Sequence, residues 1–212
     1  MRRLPIYLVL DVSGSMRGEP IEAVRVGVQS LVQTLLQDPY ALETAYLSVI
    51  TFNDKVNLDV PLTEVMHFNM PQIEAKNGTY IGKALKFLAE RIDTEVTKTT
   101  LEVKGDWKPL VFFMSDGKSG DSIEKALKSI EIRKLGFVIV CAAGSNSNIE
   151  ALKRISENVV VLKSLDKDTI KSFFKWVSAS ISTGSMKVEE AGQEVGSLSE
   201  LPPPPAEVNI VL

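Results

Sequence analysis

Apolar residues fall along this chain in two alternating patterns. Short apolar runs at 6–10, 46–50 (broken only by Ser48), 110–114, 137–142 and 159–162 are separated by segments in which apolar residues recur every third or fourth position. Runs of this kind and length predict strands buried on both faces of a parallel sheet, and the spaced segments predict helices that lay one stripe against it. The first stripe comprises Ile21, Val24, Val28, Leu31, Val32 and Leu35, with Pro20 near its start, where a missing N–H does no harm. The second is Ile81, Ala84, Leu85, Leu88 and Ile92, and the third Ile123, Ala126, Leu127 and Ile130. Ile149, Leu152 and Ile155 form a shorter fourth, and Ile170, Phe173, Phe174, Val177 and Ile181 the last.

One segment has a different period. Val56, Leu58, Val60 and Leu62 alternate with Asn57, Asp59 and Pro61, as in a half-exposed strand, and Asn53-Asp54-Lys55 supplies a turn back to the preceding run. Pro61 confines this strand to a sheet edge, antiparallel to its neighbour. The fold class predicted is α/β: a doubly wound, mostly parallel sheet with one antiparallel edge strand and helices on both faces. Residues 94–107 lack a period and read as a surface loop. The body spans 1–182, and 183–212 reads as a flexible, acidic, proline-containing tail with five Glu against one Lys. The alternation at Val208, Ile210 and Leu212 could add as a strand to an exposed sheet edge or dock on a partner.

Composition narrows the function classes. The 212 residues, 44% of them hydrophobic, suffice for one sizeable core. A net charge of −3 and no basic run longer than Arg2-Arg3 give no footprint for nucleic acid. No stretch approaches the roughly 20 apolar residues that span a bilayer, and the first run ends at Asp11 without a cleavage-site pattern, so neither membrane nor secretion is expected. Cys141 is the sole cysteine and lies within an apolar run. It reads as a buried thiol in a cytoplasmic protein, with no disulfide or thiolate zinc site.

Chemistry concentrates where the first strand ends. Asp11, Ser13 and Ser15 place three hard oxygen donors at alternate positions just past an apolar strand, a donor type suited to Mg²⁺. The carboxyl ends of strands are also where open α/β sheets bind ligands. Taken alone, such residues equally serve to cap the next helix. Asn77-Gly78-Thr79-Tyr80 opens the second helical pattern with a hydroxyl, and Phe112-Phe113-Met114-Ser115-Asp116-Gly117 ends another strand with a carboxylate on a turn.

Together these segments resemble the metal-ion-dependent adhesion site (MIDAS) of von Willebrand factor A domains, and the likeness extends from residue 6 to about 182. The resemblance implies a strand order of the dinucleotide-binding type. It also implies a divalent cation, Mg²⁺ or Mn²⁺, with Ser13, Ser15 and Thr79 as direct ligands and Asp11 and Asp116 acting mainly through water. A carboxylate from a partner protein would complete the coordination, because neutral hydroxyls leave the cation's charge under-compensated. Two positions depart from the family's habit: Ser115 stands where Thr is common, and Asn77 where Gly is common. Asn tolerates a left-handed backbone, so the loop can still form. A narrower resemblance, carried by residues 2–21, by Met114-Ser115-Asp116-Gly117 and by Cys141-Ala142-Ala143-Gly144, is to bacterial TerY-type proteins of tellurium resistance and stress response. It implies an adaptor working beside kinases, phosphatases and other stress-operon products.

Other classes fit less well. A haloacid-dehalogenase-like phosphotransferase with Asp11 as nucleophile wants a carboxylate two residues on, where this chain has Ser13. His67, the sole histidine, lies far from any nucleophile-elbow motif, and Gly117-Lys118-Ser119 lacks the earlier glycine of a phosphate loop. The sequence thus reads as a binding module and not an enzyme, with the dehalogenase-like phosphotransferase using Asp11 and a metal-free scaffold as the alternatives.

Overall fold

A computed structural model describes residues 2–130 and 135–211. Seven strands form one sheet: β1 (Leu4–Asp11), β2 (Ala45–Phe52), β3 (Val56–Glu64), β4 (Leu110–Ser115), β5 (Phe137–Ala143), β6 (Val159–Leu162) and β7 (Val208–Val211). Their order is β3-β2-β1-β4-β5-β6-β7. β1 pairs in parallel with both β2 and β4, so the chain reverses its direction of winding at β1. That switch point opens a crevice at the carboxyl ends of β1 and β4.

The helices are α1 (Glu19–Leu35), α2 (Pro39–Thr44), α3 (Ile81–Glu95), α4 (Ile123–Ser129), α5 (Ile149–Lys153) and α6 (Lys167–Met186). Alternation along each strand divides the core. Leu4, Ile6, Leu8 and Leu10 of β1 face α1, α2 and α6, while Tyr7 and Val9 face α3, α4 and α5. α1 and α6 approach closely at Gly27, where a β-carbon would lie 2.2 Å from the Phe174 ring.

β3 is the expected antiparallel edge strand, and the turn before it closes through Asn53 N–H to the Lys55 carbonyl at 2.8 Å and Lys55 N–H to Asn53 Oδ1 at 2.7 Å. α2 was not foreseen. It is a single short helix with Pro39 in its first turn, capped by Asp38, which accepts from the N–H groups of Tyr40 and Ala41.

The largest departure is at the C-terminal end. α6 runs past the expected boundary at Ser182 to Met186, and the residues after it pack on the body in place of a flexible tail. Val188, Val195, Leu201 and Val208 are buried in the same cluster as α1 and α6, and the Trp176 indole N–H donates to the Pro202 carbonyl at 2.8 Å. β7 then adds antiparallel to β6, giving the sheet a second antiparallel edge. The strand-adding capacity read at 206–212 is thus used within the chain, though Leu212 itself lies outside the described residues. The five Glu residues, which gave this segment its tail-like composition, all point to solvent and leave the buried positions apolar.

Candidate metal centre

The last residue of β1 is Asp11. Burial on both faces of the sheet leaves it 2% exposed. Its Oδ1 accepts from Ser13 N–H at 2.9 Å and its Oδ2 from the Ser115 hydroxyl at 2.6 Å. The second bond crosses from β1 to β4 and follows from the parallel register that sets Leu10 beside Met114. Ser115 in turn accepts from Gly117 N–H at 3.1 Å, so the position where Thr was expected keeps its hydroxyl at work.

Ser13 is buried, Ser15 is exposed, and their hydroxyls lie 3.1 Å apart on the 3₁₀ turn that follows β1. Asp116 is half-buried on the turn after β4 and accepts from Lys118 N–H at 3.0 Å. That turn needs Gly117, whose φ is +77° and whose β-carbon would meet the Asn148 carbonyl at 2.7 Å.

Thr79 reaches the same pole on a different loop. Lys76 N–H donates to the Val12 carbonyl at 2.7 Å, and Tyr80 N–H to the Asn53 carbonyl at 2.8 Å. The Thr79 carbonyl accepts from Gly120 N–H at 2.7 Å. These bonds seat the loop between those following β1, β2 and β4. Among the described residues no hydrogen bond uses the Thr79 hydroxyl. The structure therefore joins Asp11, Ser13 and Ser15 directly, sets Asp116 close enough for its charge to act on Asp11, and holds Thr79 by its backbone in the adjoining loop. Asn77 differs from expectation. The left-handed residue of its loop is Gly78, at φ +85°, and Asn77 instead offers its side-chain oxygen to Arg17 at 2.9 Å.

Residues that the sequence did not single out support this loop. Asp121 accepts from Gly82 N–H and Lys83 N–H, both at 2.9 Å, and Ser119 accepts from Ile81 N–H at 3.0 Å. The first turn of α3, directly after Thr79, is thus capped from the loop that follows Asp116.

Burial pushes the Asp11 carboxyl above the usual carboxylate range; its hydrogen bonds from Ser115 and Ser13 pull it partly back, and the nearby Asp116 charge adds to the rise. No Lys or Arg among the described residues pairs with Asp11. No group of three or more His, Cys, Asp and Glu among them is arranged to hold a metal. A cation at this pole would therefore take much of its protein coordination from hydroxyls. An all-oxygen donor set of hydroxyls and carboxylates fits a hard divalent ion. By contrast Cys141 is buried in β5, which raises its thiol pKa, and His67 is exposed and pairs with Glu64 at 3.1 Å. Both are remote in role from this constellation.

Comparison with known proteins agrees with the geometry. The chain is similar to the uncharacterized protein sll0103 of Synechocystis, 28% identical over 174 residues, which cover 73% of this chain and 36% of that protein. It thus spans about a third of the length of the curated relative it matches. Among solved structures it resembles a von Willebrand factor type A protein from Catenulispora acidiphila, with TM-score 0.63 and 16% identity over 86% of this chain and 43% of that one. It also resembles proximal thread matrix protein 1 from the mussel byssus in a form with a zinc-occupied MIDAS motif. That likeness has TM-score 0.58 and 20% identity over 84% of this chain and 48% of the other. At these identities the structural likenesses speak to fold. Residues 6–176 match the family model of the von Willebrand factor type A domain, and the chain belongs to that family.

Proposed function

We propose that this chain is a metal-dependent protein-interaction module and not an enzyme. In this reading the hydroxyls of Ser13, Ser15 and Thr79 hold Mg²⁺ or Mn²⁺ directly, and Asp11 and Asp116 accept mainly through water. When bound, the cation supplies an electrophilic anchor for an acidic side chain of a partner protein. The observation that carries the reading is Asp11: a carboxylate 2% exposed, fixed by two hydrogen bonds and lacking a cationic side chain among the described residues. Such a group is costly to keep ionised unless a positive charge comes to it. The family supplies the context, since its members commonly mediate protein–protein contacts and the mussel protein's MIDAS motif takes zinc.

The narrower part of the proposal is a cytoplasmic adaptor of the TerY type, acting beside kinases, phosphatases or other stress-operon proteins in tellurite and stress responses. It is supported by the residues around Asp11, Asp116 and Cys141 quoted above. No helix among the described residues is long and apolar enough to cross a membrane. Ser13 stands where a dehalogenase-like phosphotransferase would carry its general acid.

Thermal denaturation tests the site. Mg²⁺ or Mn²⁺ at a hundredfold excess over its Kd stabilises by about 2.7 kcal/mol, roughly 5–10 °C for a domain of this size. Wild type should show that shift, and Asp11→Ala and Thr79→Ala should not; equal shifts in all three sink the assignment. The same preparations should not hydrolyse small phosphoesters, and turnover lost in Asp11→Asn would favour the phosphotransferase instead.

A further inference from the structure

A cation-binding site should not gather extra positive charge at its lip, yet this one does. Arg17 lies two residues beyond Ser15, at the end of the 3₁₀ turn that carries the Ser15 hydroxyl. Its guanidinium donates to Asn77 Oδ1 at 2.9 Å, two residues before Thr79. The same Asn77 oxygen lies 3.5 Å from where a β-carbon on Gly14 would sit, so the two ligand-bearing loops touch at this point. Asn77 is neutral, Arg17 is exposed, and no carboxylate among the described residues pairs with it. The guanidinium keeps most of its five donors free and sits where the loop bearing Ser15 meets the loop bearing Thr79. Asn77 also lines a polar pocket of about 300 Å³ together with Asn53, Asp54, Lys55, Asn57 and Lys76, so the pocket wall carries two ammonium groups against one carboxylate, with Asp59 near Lys76.

Next to a bound divalent cation, an unpaired guanidinium is repulsive in the free protein. A single carboxylate offsets part of that cost, and a ligand with a second negative charge offsets more of it. We propose that Arg17 determines specificity at the metal centre, by taking a second carboxylate of a partner whose first carboxylate engages the metal. The preferred ligand is then an acidic peptide segment with two carboxylates a few residues apart. The inference rests on the metal-dependent reading above, but adds a residue that the metal does not touch. Arg17 has the planar fork suited to a carboxylate, which a lysine at this position would lack.

The test uses the full chain in Mg²⁺ and two fluorescein-labelled glycine-rich peptides, one with a single aspartate and one with an added glutamate two or three residues away, read by fluorescence anisotropy. Wild type should bind the two-carboxylate peptide about two- to fivefold more tightly than the other, the upper part of the range for one exposed charge contact. Arg17→Gln, which can still donate to Asn77, should reduce that ratio to near one while binding the single-carboxylate peptide about as well, and its Mg²⁺ melting shift should be no smaller than that of wild type, since a repulsive charge is removed. Arg17→Lys should restore part of the ratio. The proposal is overturned if wild type shows no preference, including no binding of either peptide while Mg²⁺ still stabilises the protein. It is also overturned if Arg17→Gln weakens both peptides alike, which would make Arg17 a tether for the Asn77 loop. Absence of any Mg²⁺ stabilisation in wild type sinks the metal reading itself, and this one with it.

Discussion

Single residues at the two poles of the sheet use buried charge in opposite ways. At the carboxyl-end pole Asp11 is buried without a cationic partner among the described residues, and at the other pole the half-buried Asp106 has one. Arg3 meets the Asp106 carboxylate through two donors, at 2.9 and 2.5 Å, and also donates to the Glu95 carbonyl. Burial alone would raise the Asp106 pKa, but the Arg3 guanidinium and the Thr97 N–H together hold it below the usual carboxylate range. The unfolded state therefore takes up the proton first on acidification. The stabilising contribution of this pair is complete above about pH 4 and is lost as pH falls through the folded-state value. Asp106→Asn should cost about 2 kcal/mol at pH 7, because Arg3 is left without its charge partner, and this difference from wild type should shrink in urea titrations run below about pH 4. A difference independent of pH would show that packing, not charge, is what Asp106 supplies. For Ser115→Ala, loss of the hydroxyl leaves Asp11 Oδ2 buried without a donor, and a destabilisation of about 1–3 kcal/mol is expected in the metal-free protein. Asp11 and Asp116 were legible in sequence because each ends an apolar run. Ser115 was marked only by its place before Asp116 in the motif, and its bond to Asp11 crosses the fold; the contacts of Arg17 and Asp106 also cross the fold, and nothing in their local sequence marks them.

At the scale of elements, the strands were the most legible part. β1, β2, β4, β5 and β6 all lie on the apolar runs, because a strand covered on both faces is apolar at most positions; in β2 the buried Ser48 interrupts the run and satisfies its hydroxyl on the Val60 carbonyl. α1, α3 and α6 likewise sit on their stripes, and the loop at 94–107 follows from the absence of any. The start of α3 was less readable. Its N-cap residue is Tyr80, whose side chain makes no capping bond, and the acceptors come from Ser119 and Asp121, nearly 40 residues away. Periodicity and capping patterns are local signals, and this cap is not local. The arrangement couples two loops of the candidate centre: Asp121 fixes the first turn of α3, which begins two residues after Thr79, and Gly120 N–H donates to the Thr79 carbonyl. Asp121→Ala should therefore lower stability by about 1–2 kcal/mol, the usual worth of a cap. It should also reduce the Mg²⁺ melting shift by at least half, whereas Asp121→Asn, which keeps one acceptor oxygen, should retain more of it. An unchanged Mg²⁺ shift in Asp121→Ala would mean that Thr79 is held well enough by Asn53 and Gly120 alone.

The whole molecule divides its work between its ends. The candidate metal centre lies at the carboxyl ends of β1 and β4, and the segment after α6 begins at the opposite pole, where Gly184 lies against Leu4 and Leu110, the first residues of the same two strands. From there it crosses α6, with Trp176 bonded to Pro202, and finishes as β7 on the open edge of β6. A sheet edge left bare invites pairing with another chain, and β7 covers this one. The segment escaped the sequence reading because its four buried side chains are spaced at 188, 195, 201 and 208, with Pro and Glu between them, a spacing that matches neither strand nor helix. Composition averages over a segment, whereas burial is decided position by position. Removing everything after Met186 would bare the apolar flank of α6 and the β6 edge together. Loss of one such buried side chain already costs about 2–5 kcal/mol, so the truncated chain should melt at least roughly 10 °C lower and should self-associate. Because the strap starts far from Asp11 and Thr79, the Mg²⁺ shift measured below the new melting point should persist. A truncated chain that melts like wild type would return residues 187–211 to the status of a loose tail. One that loses the Mg²⁺ shift while staying folded would instead tie this strap to the geometry of the metal centre.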